Sequence, residues 1–245
     1  MRKTLILLLL ISVGINLYTT FNKLHPKKIE LILNPKKAKK VERIGEIITY
    51  HVQLGRMNLG KAVFKHLPNT KLKGKTVSLM TFETKLGGFT DLEKIYSDPD
   101  SFLPLRVERS ISTWLLPEKI SEDYDQEKFV LTIKKRKAGR ENELVIKKDN
   151  VINNAILLPY FVRDTANLDI GYNFKARLPT KEFLIELVEK VEVEVPAGKF
   201  MAYRFKSTPE KFEIWISADE RKIPLKIMGT SGLGYVFAMQ EYSTN

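Results

Sequence analysis

This sequence predicts an all-β, mainly antiparallel fold: a meander curled into a barrel or half-barrel, with one short helix near residues 155–163. Three observations predict it. From Gly45 onward the hydrophobic period is two and not 3.6, which is the repeat of a strand. Each alternating run keeps one apolar and one polar face, as in an antiparallel sheet with a core on one side and water on the other. About ten such runs follow one another across short turns, and a series of hairpins buries its common face by curling.

The chain opens with "MRKTLILLLLISVGINLY", basic residues followed by an apolar run from Leu5 to Tyr18. A membrane-spanning helix needs ~20 apolar residues, so the run is short for a span and has the length of a signal-peptide core. No A-x-A triplet follows it; Ser12-Val13-Gly14 is the nearest small-residue pattern. Residues 1–20 are therefore expected to export the chain, as a cleaved signal peptide or as a retained N-terminal anchor. Lys23, Lys27 and Lys28 make the downstream flank the more basic one, which favours cleavage. Residues 21–44 read as a basic linker, in which Lys36, Lys37, Lys39 and Lys40 could rest on an anionic membrane surface or simply be solvated.

Residues 45–245 are expected to form one antiparallel β domain. With 245 residues, 43% of them hydrophobic and 29% charged, the composition is globular. The absence of cysteine removes disulfides, thiolate metal sites, cysteine nucleophiles and a lipidated N-terminal cysteine. A formal net charge of +12 favours acidic partners, although the lysines are scattered as on a solvated surface. Export makes nucleic acid a poor partner, and none is expected.

The strands read in order. "EIITYHVQL" puts Ile48, Tyr50, Val52 and Leu54 on one face, and "KFVLTIKKR" does the same with Phe129, Leu131 and Ile133. "DIGYNFKARL" alternates Ile170, Tyr172, Phe174, Ala176 and Leu178 with polar partners. "KVEVEV" places Val191, Val193 and Val195 opposite Lys190, Glu192 and Glu194, and "GLGYVFAMQEY" aligns Leu233, Tyr235, Phe237 and Met239. "NNAILLPYFVRD" breaks the period and reads as a short helix covering an open barrel end, with Pro159 limiting its length. "GFTDLEKIYSDPD" is ambiguous between strand and helix.

The stretch "FEIWISADERKIPLKI" reads as a hairpin. Phe212, Ile214 and Ile216 share a face, with Glu213, Trp215 and Ser217 opposite, and the Asp219–Lys222 charges fall at the reversal. An exposed Asp219–Arg221 pair there is worth under about 1 kcal/mol and carries no chemistry. Trp215 lies on the polar face, so either both faces are buried or Trp215 meets a ligand or partner.

"VPAGKF" at 195–200, then "IWISADERKIP" at 214–224, resembles the end of DUF3108, an exported bacterial family of unknown function. "GEIITYHVQLGRMNLGKA" at 45–62, "FLPLRVER" at 102–109 and "PYFVR" at 159–163 resemble its earlier segments in the same order. The resemblance implies a periplasmic or outer-membrane-associated β protein, similar in architecture to half-barrel lipoprotein carriers and lipid-binding sensors. It implies no activity.

No catalytic constellation is found. His51 and His66 fall near the ends of adjacent strands and could approach, but without a carboxylate pattern they are a weak metal signal, and no metal or cofactor is expected. "GTSGLG" at 229–234 leads into a strand and not a helix, so it is no phosphate loop. Glu192 and Glu194 are the wet side of a strand, and "SDPDSF" is a turn lacking the other ligands of a calcium loop.

Arg106, Arg109 and Arg163 are the most informative charges. Arg109 falls on the apolar Leu105/Val107 face and requires a partner, either a carboxylate such as Glu83 or a bound anion. The leading expectation is a non-enzymatic envelope protein that binds a lipid or lipoprotein ligand. Its wall would include Tyr160, Phe161 and Trp215, with Arg106, Arg109 and Arg163 as contacts to an acidic group. The alternative is a structural or assembly factor, filled by its own side chains, that binds another envelope protein; a hydrolase stands third.

Overall fold

The computed structural model describes residues 43–55, 57–113, 117–230 and 234–244. The leader, most of the linker and the Lys36–Lys40 surface lie outside the described residues. In chain order the strands are β1 (Glu46–Leu54), β2 (Met57–Leu72), β3 (Lys75–Leu86), β4 (Phe89–Ser97), β5 (Pro104–Ser112), β6 (Glu118–Asp125), β7 (Val130–Lys137) and β8 (Arg140–Lys147). A short helix, α1 (Leu158–Arg163), follows. The chain continues through β9 (Asn173–Arg177), β10 (Glu182–Val195), β11 (Gly198–Thr208), β12 (Phe212–Ser217), β13 (Pro224–Gly229) and β14 (Tyr235–Thr244).

All fourteen strands join one antiparallel sheet in the order β8-β7-β6-β5-β4-β3-β2-β1-β14-β13-β12-β11-β10-β9. Two meanders run outward from the middle, where β14 returns to pair with β1. The sheet does not close, since β8 and β9 are its edges. β8 is exposed at nearly every position and so carries no readable alternation, whereas β9 is the core of the alternating stretch "DIGYNFKARL". Ile170, expected on a strand, sits 70% exposed before β9, and Phe129 occupies the turn before β7. The ambiguous 88–100 segment is β4 and the turn after it.

The alternation within each strand defines one common inner face. On β1 it carries Ile48, Tyr50, Val52 and Leu54, all buried. Registers extend that face through Ala62 and Phe64, Met80 and Phe82, Glu93 and Ile95, and Val107 and Arg109. The inner face is concave. β3 and β14 are separated by β1 and β2, which would place them ~14 Å apart in a flat sheet. Yet the rings of Phe82 and Phe237 lie 5.9 Å apart. The small Ala62 between them, fully buried, leaves room for both.

Because β8 and β9 are opposite edges, residues 148–172 must travel from one flank of the sheet to the other. At the start of that passage Ile152 and Asn153 bridge the flanks. The Gln126 side chain accepts from Ile152 N at 3.0 Å and donates to Ile152 O at 2.9 Å. Asn153 N donates to Arg177 O at 2.8 Å, and Arg177 N donates to Asn153 Oδ1 at 2.7 Å. The passage then forms α1. Pro159 lies in its first turn, where no N–H is required, so it starts the helix and does not limit it. Leu158, Val162 and Leu168 pack onto Phe183, Ile185, Leu187, Phe205, Ile214 and Ile216. Burial of each such side chain contributes ~1.5–3 kcal/mol.

A close approach of two strand backbones requires glycine at position 60. Gly60 on β2 has φ +148°, and a Cβ there would lie 2.1 Å from the Lys85 carbonyl oxygen on β3. Gly74, in the β2–β3 turn at φ +82°, has open space. Gly60→Ala is expected to lower unfolding free energy by at least ~2 kcal/mol, and Gly74→Ala by ~1 kcal/mol. Urea denaturation of the two variants checks this ranking; equal losses would contradict it.

Candidate functional site

The concave face has three parts: a buried polar lock beneath α1, a charged cluster on β4–β6, and half-buried aromatic rings between and beside them. The lock begins at Glu46, the first residue of the central strand. Arg163 of α1 donates from Nη1 to Glu46 Oε2 and from Nη2 to Glu46 Oε1, both at 2.6 Å. Both side chains are only 1% exposed. Tyr160 donates its hydroxyl to the same carboxylate at 3.3 Å, and its ring stacks on Phe64 at 5.0 Å. Burial alone would raise the Glu46 carboxyl, but its hydrogen bonds and charge contacts with Arg163, helped by Arg43 and Tyr160, hold it below the ordinary range.

The lock extends to the β12–β13 connection. Arg163 Nη2 donates to Arg221 O at 3.0 Å, and Lys222 Nζ donates to Thr165 O. Arg43 bridges Asp164 at 2.7 Å and Arg163 O at 3.3 Å. Asp219 accepts from Ser217 Oγ and from the backbone N–H of Arg221 and Lys222, as a turn residue does. The "SADERKIP" reversal is thus a hairpin tip, as its pattern suggests, whose backbone also receives the helix.

His66 lies at the edge of this cluster, with Tyr160 edge-on at 6.4 Å. Its two ring nitrogens have no hydrogen-bond partner among the described residues. Burial pushes the imidazole down to about 4, against the pull of Glu46 and with that of Arg163 and Arg43. His51 pairs with Lys61, while His66 pairs with Met80 five residues further along β2. The two histidines are therefore not brought together. Among the described residues, no group of three or more His, Asp or Glu side chains is arranged to hold a metal ion. An open cleft of about 400 Å³ beside the lock is lined by Ile44, Gly45, Glu46, Ile47, Lys65, His66, Leu67 and Pro68. These are two short stretches at adjacent strand ends, which makes it a rim groove and not an enclosed ligand chamber.

Arg109 does face inward, but its partner is not Glu83. Glu83 lies on the other face, because Phe82 is the β3 residue opposite Glu93. Arg109 Nε donates to Asp91 at 2.9 Å and 3.1 Å to its two oxygens and lies 3.5 Å from Glu93. Glu122 and the hydroxyl of Tyr124 complete the cluster. Burial pushes the Glu93 carboxyl up to about 7, with Asp91 and Glu122 adding to the rise and Arg109 opposing it.

Aromatic rings line the rest. Phe237 meets Tyr235 at 5.6 Å, Phe82 at 5.9 Å and Tyr50 at 6.4 Å. Tyr235 lies across Gly229, where a Cβ would collide with the ring at 2.2 Å. On the β9 flank, Phe161 meets Phe174 at 6.5 Å, and Tyr172 meets Phe174 at 6.4 Å. Phe82, Tyr235, Phe237, Phe161, Tyr172 and Phe174 are all only half-buried.

The residues singled out from sequence do not form one site. Tyr160 and Arg163 belong to the buried lock, Arg109 to the cluster and Phe161 to the β9-flank rings. Arg106 lies on the outer face, bound to Glu108 at 3.0 Å and Asp123 at 2.8 Å. Trp215 is also on the outer face, between its cross-strand neighbours Arg204 and Lys226, whose charges sit 5.3 Å and 4.9 Å from its ring. Their aliphatic stems explain how a tryptophan on the polar face is 94% buried, being 6% exposed. Sequence reasoning missed Glu46, Asp91, Glu93 and Phe82. Their signal was there: each occupies the apolar phase of its strand, as Arg109 does.

An open, antiparallel half-barrel crossed by a helical plug is the class that this geometry defines. The chain belongs to DUF3108, described as a protein of unknown function, whose family model matches residues 49–240. Among solved structures it is similar to a β-barrel-like protein of DUF1849 from Brucella abortus, at 10% identity and a TM-score of 0.51, covering 84% of this chain and 100% of that one. A protein with a YmcC-like fold from Bacteroides fragilis shares 12% identity at a TM-score of 0.30, covering 82% of this chain and 96% of that one. No curated protein matches the chain significantly. The likeness to the Brucella protein is one of fold.

The charged cluster has a measurable consequence. The folded chain holds the Glu93 proton up to about pH 7, whereas an ordinary glutamate releases it near 4.5. Stability that rests on the neutral carboxyl is complete below the lower value and is lost as pH rises through the upper one; the gap corresponds to ~3 kcal/mol. Glu93→Gln removes this loss. Its stability relative to the unaltered protein is expected to rise by ~2–3 kcal/mol between pH 5 and pH 8, read from urea midpoints. Parallel pH profiles for the two proteins would contradict it.

Proposed function

We propose that this chain is an exported, non-enzymatic envelope protein that takes up an amphipathic, lipid-like ligand on the concave face of its half-barrel. The observation that carries the reading is the set of half-buried aromatic rings there, above all Phe82, Tyr235 and Phe237. A barrel filled entirely by its own side chains would bury those rings. Covering them with an acyl chain gains ~25 cal/mol for each Å² removed from water. The sheet's failure to close leaves that face approachable, while α1 occupies the region around Glu46.

The polar end of the ligand is not held by the arginines. Arg106, Arg109 and Arg163 are each already engaged by carboxylates, with Asp123, Asp91 and Glu46 as their partners. Recognition therefore rests on apolar area, and the basic linker with Lys36, Lys37, Lys39 and Lys40 supplies attraction to anionic membrane. Export itself rests on the leader sequence. A second reading, an assembly factor that engages another envelope protein, is favoured by the filled interior where α1 packs on β9–β12.

Native mass spectrometry of protein purified from the periplasm without detergent separates these readings. The expected result is a stoichiometric lipid adduct that Phe237→Asp reduces at least ~tenfold and that Trp215→Gln, on the outer face, leaves intact. A clean apo mass that persists after incubation with envelope lipids would overturn the carrier reading.

A further inference from the structure

Basic charge is placed unevenly along the sheet. Over residues 89–147 eleven basic side chains stand against twelve acidic ones, and over residues 173–244 eleven stand against ten. The β2–β3 hairpin is different: it carries Lys61, Lys65, Lys71, Lys73, Lys75 and Lys85 against Glu83 alone. Glu83 is already matched by Lys85 at 3.0 Å, and Lys71 donates to Thr76 Oγ1 at 2.7 Å. Lys61, Lys65, Lys73 and Lys75 meet no carboxylate among the described residues.

The hairpin also stands out from the sheet. β1 pairs with β2 only as far as Ile47 and Lys65, and β4 pairs with β3 only as far as Ser97 and Ser78. Beyond those pairs β2 and β3 have only each other as strand neighbours among the described residues, down to the Leu72–Lys75 pair. The free length from Leu67 to Leu72 is ~17 Å along the strand. Lys71, Lys73, Lys75 and Thr76 at its tip are all exposed. The tip projects at the end of the sheet where the chain enters, since Gly45 N donates to His66 O at 2.8 Å. The linker with Lys36, Lys37, Lys39 and Lys40 therefore joins the sheet at the hairpin's end.

We infer that the β2–β3 hairpin docks on an anionic membrane surface, its tip lysines lying among acidic phospholipid headgroups. The residue type fits a surface better than a single bound group. The hairpin has lysines and no arginine. Arginine's planar fork suits one fixed phosphate or carboxylate, whereas lysine is a point charge on a flexible stem, matched to headgroups that are many and mobile. Lysines without internal partners give up no ion pair when they dock. Each lysine near an anionic surface favours partitioning by about fivefold. The attraction fades within a Debye length, ~10 Å at 0.1 M salt, so it acts on a projecting tip more than on the body of the sheet. The apolar run from Leu5 to Tyr18, ahead of the linker, brings the chain to a membrane whether it is cleaved or retained. Docking of this kind is independent of what the concave face binds.

The chain has no cysteine, so a single introduced thiol carries a fluorophore without background. Thr76→Cys places it on the tip. Gly88→Cys places it in the turn beyond the other end of β3, ~40 Å away, where an added Cβ meets nothing within 4 Å. The full chain is reconstituted with vesicles that carry a headgroup-linked quencher, one set containing phosphatidylglycerol and the other phosphatidylcholine alone. Quenching at position 76 is expected to be at least ~fivefold greater in the anionic set, and quenching at position 88 the same in both. The tip signal is expected to fall to the zwitterionic level when Lys71, Lys73 and Lys75 are all changed to Gln, and at ~0.5 M salt. Removing as many charges elsewhere, by changing exposed Lys134, Arg136 and Lys190 to Gln, is expected to leave it intact. Equal quenching at position 76 in the two vesicle sets, or equal losses from the two triple variants, would overturn the inference.

Discussion

A carboxylate and a guanidinium, both taken out of water, fix how this sheet is used. Glu46 stands at the first position of the central strand and Arg163 near the end of the only described helix. Desolvating two such ions is costly, and their pairing offsets the cost only when geometry and further hydrogen bonds are good. Here the contact is bidentate, Tyr160 adds a third bond, and the Arg221 carbonyl accepts from Nε and Nη2 of the guanidinium. A pair of this kind contributes less to net stability than to position: it specifies where the crossing segment may lie. The topology creates the need. Two meanders growing outward from β1 and β14 leave their last strands at opposite edges, and the chain has to pass between them across the concave side.

The same passage decides what is left for function. Gln126 and Asn153 tie the two flanks together through backbone groups of Ile152, Asn153 and Arg177, and α1 fills the region beyond. What remains uncovered is a band of aromatic rings, next to a cluster in which Arg109 is already neutralised by Asp91 and Glu93. Among the described residues, each inward arginine is engaged by the protein's own carboxylates.

Much of the fold was legible because β strands announce themselves through a period of two. β1 reads without ambiguity, since Ile48, Tyr50, Val52 and Leu54 alternate with polar residues and are all buried. β8 does not, because both of its faces meet water and no face is selected for apolarity. The short helix was legible as a break in the period, but its start was placed too early, since Pro159 could equally end a helix or begin one. Charges were the harder part. Arg109 was visible as an inward charge from its phase, but choosing among Glu83, Asp91 and Glu93 as its partner depends on the β3–β4 and β4–β5 registers, which alternation alone does not set. Trp215, on the polar face of its strand, is buried there between two neighbouring cationic stems, a contact that depends on the β11–β12 and β12–β13 registers. The Glu46–Arg163 contact, between residues 117 apart, has no local signature at all.

Hydrogen exchange measured by mass spectrometry on Arg163→Met tests the central role of the lock most directly. Removing one member leaves Glu46 buried without its partner, a loss of ~3–5 kcal/mol. If the pair positions the passage, protection should fall together across residues 152–168, the start of β1 and the β12–β13 connection, while β4–β7 keep theirs. Loss confined to the few residues around position 163, with β1 and the β12–β13 connection unchanged, would contradict the account.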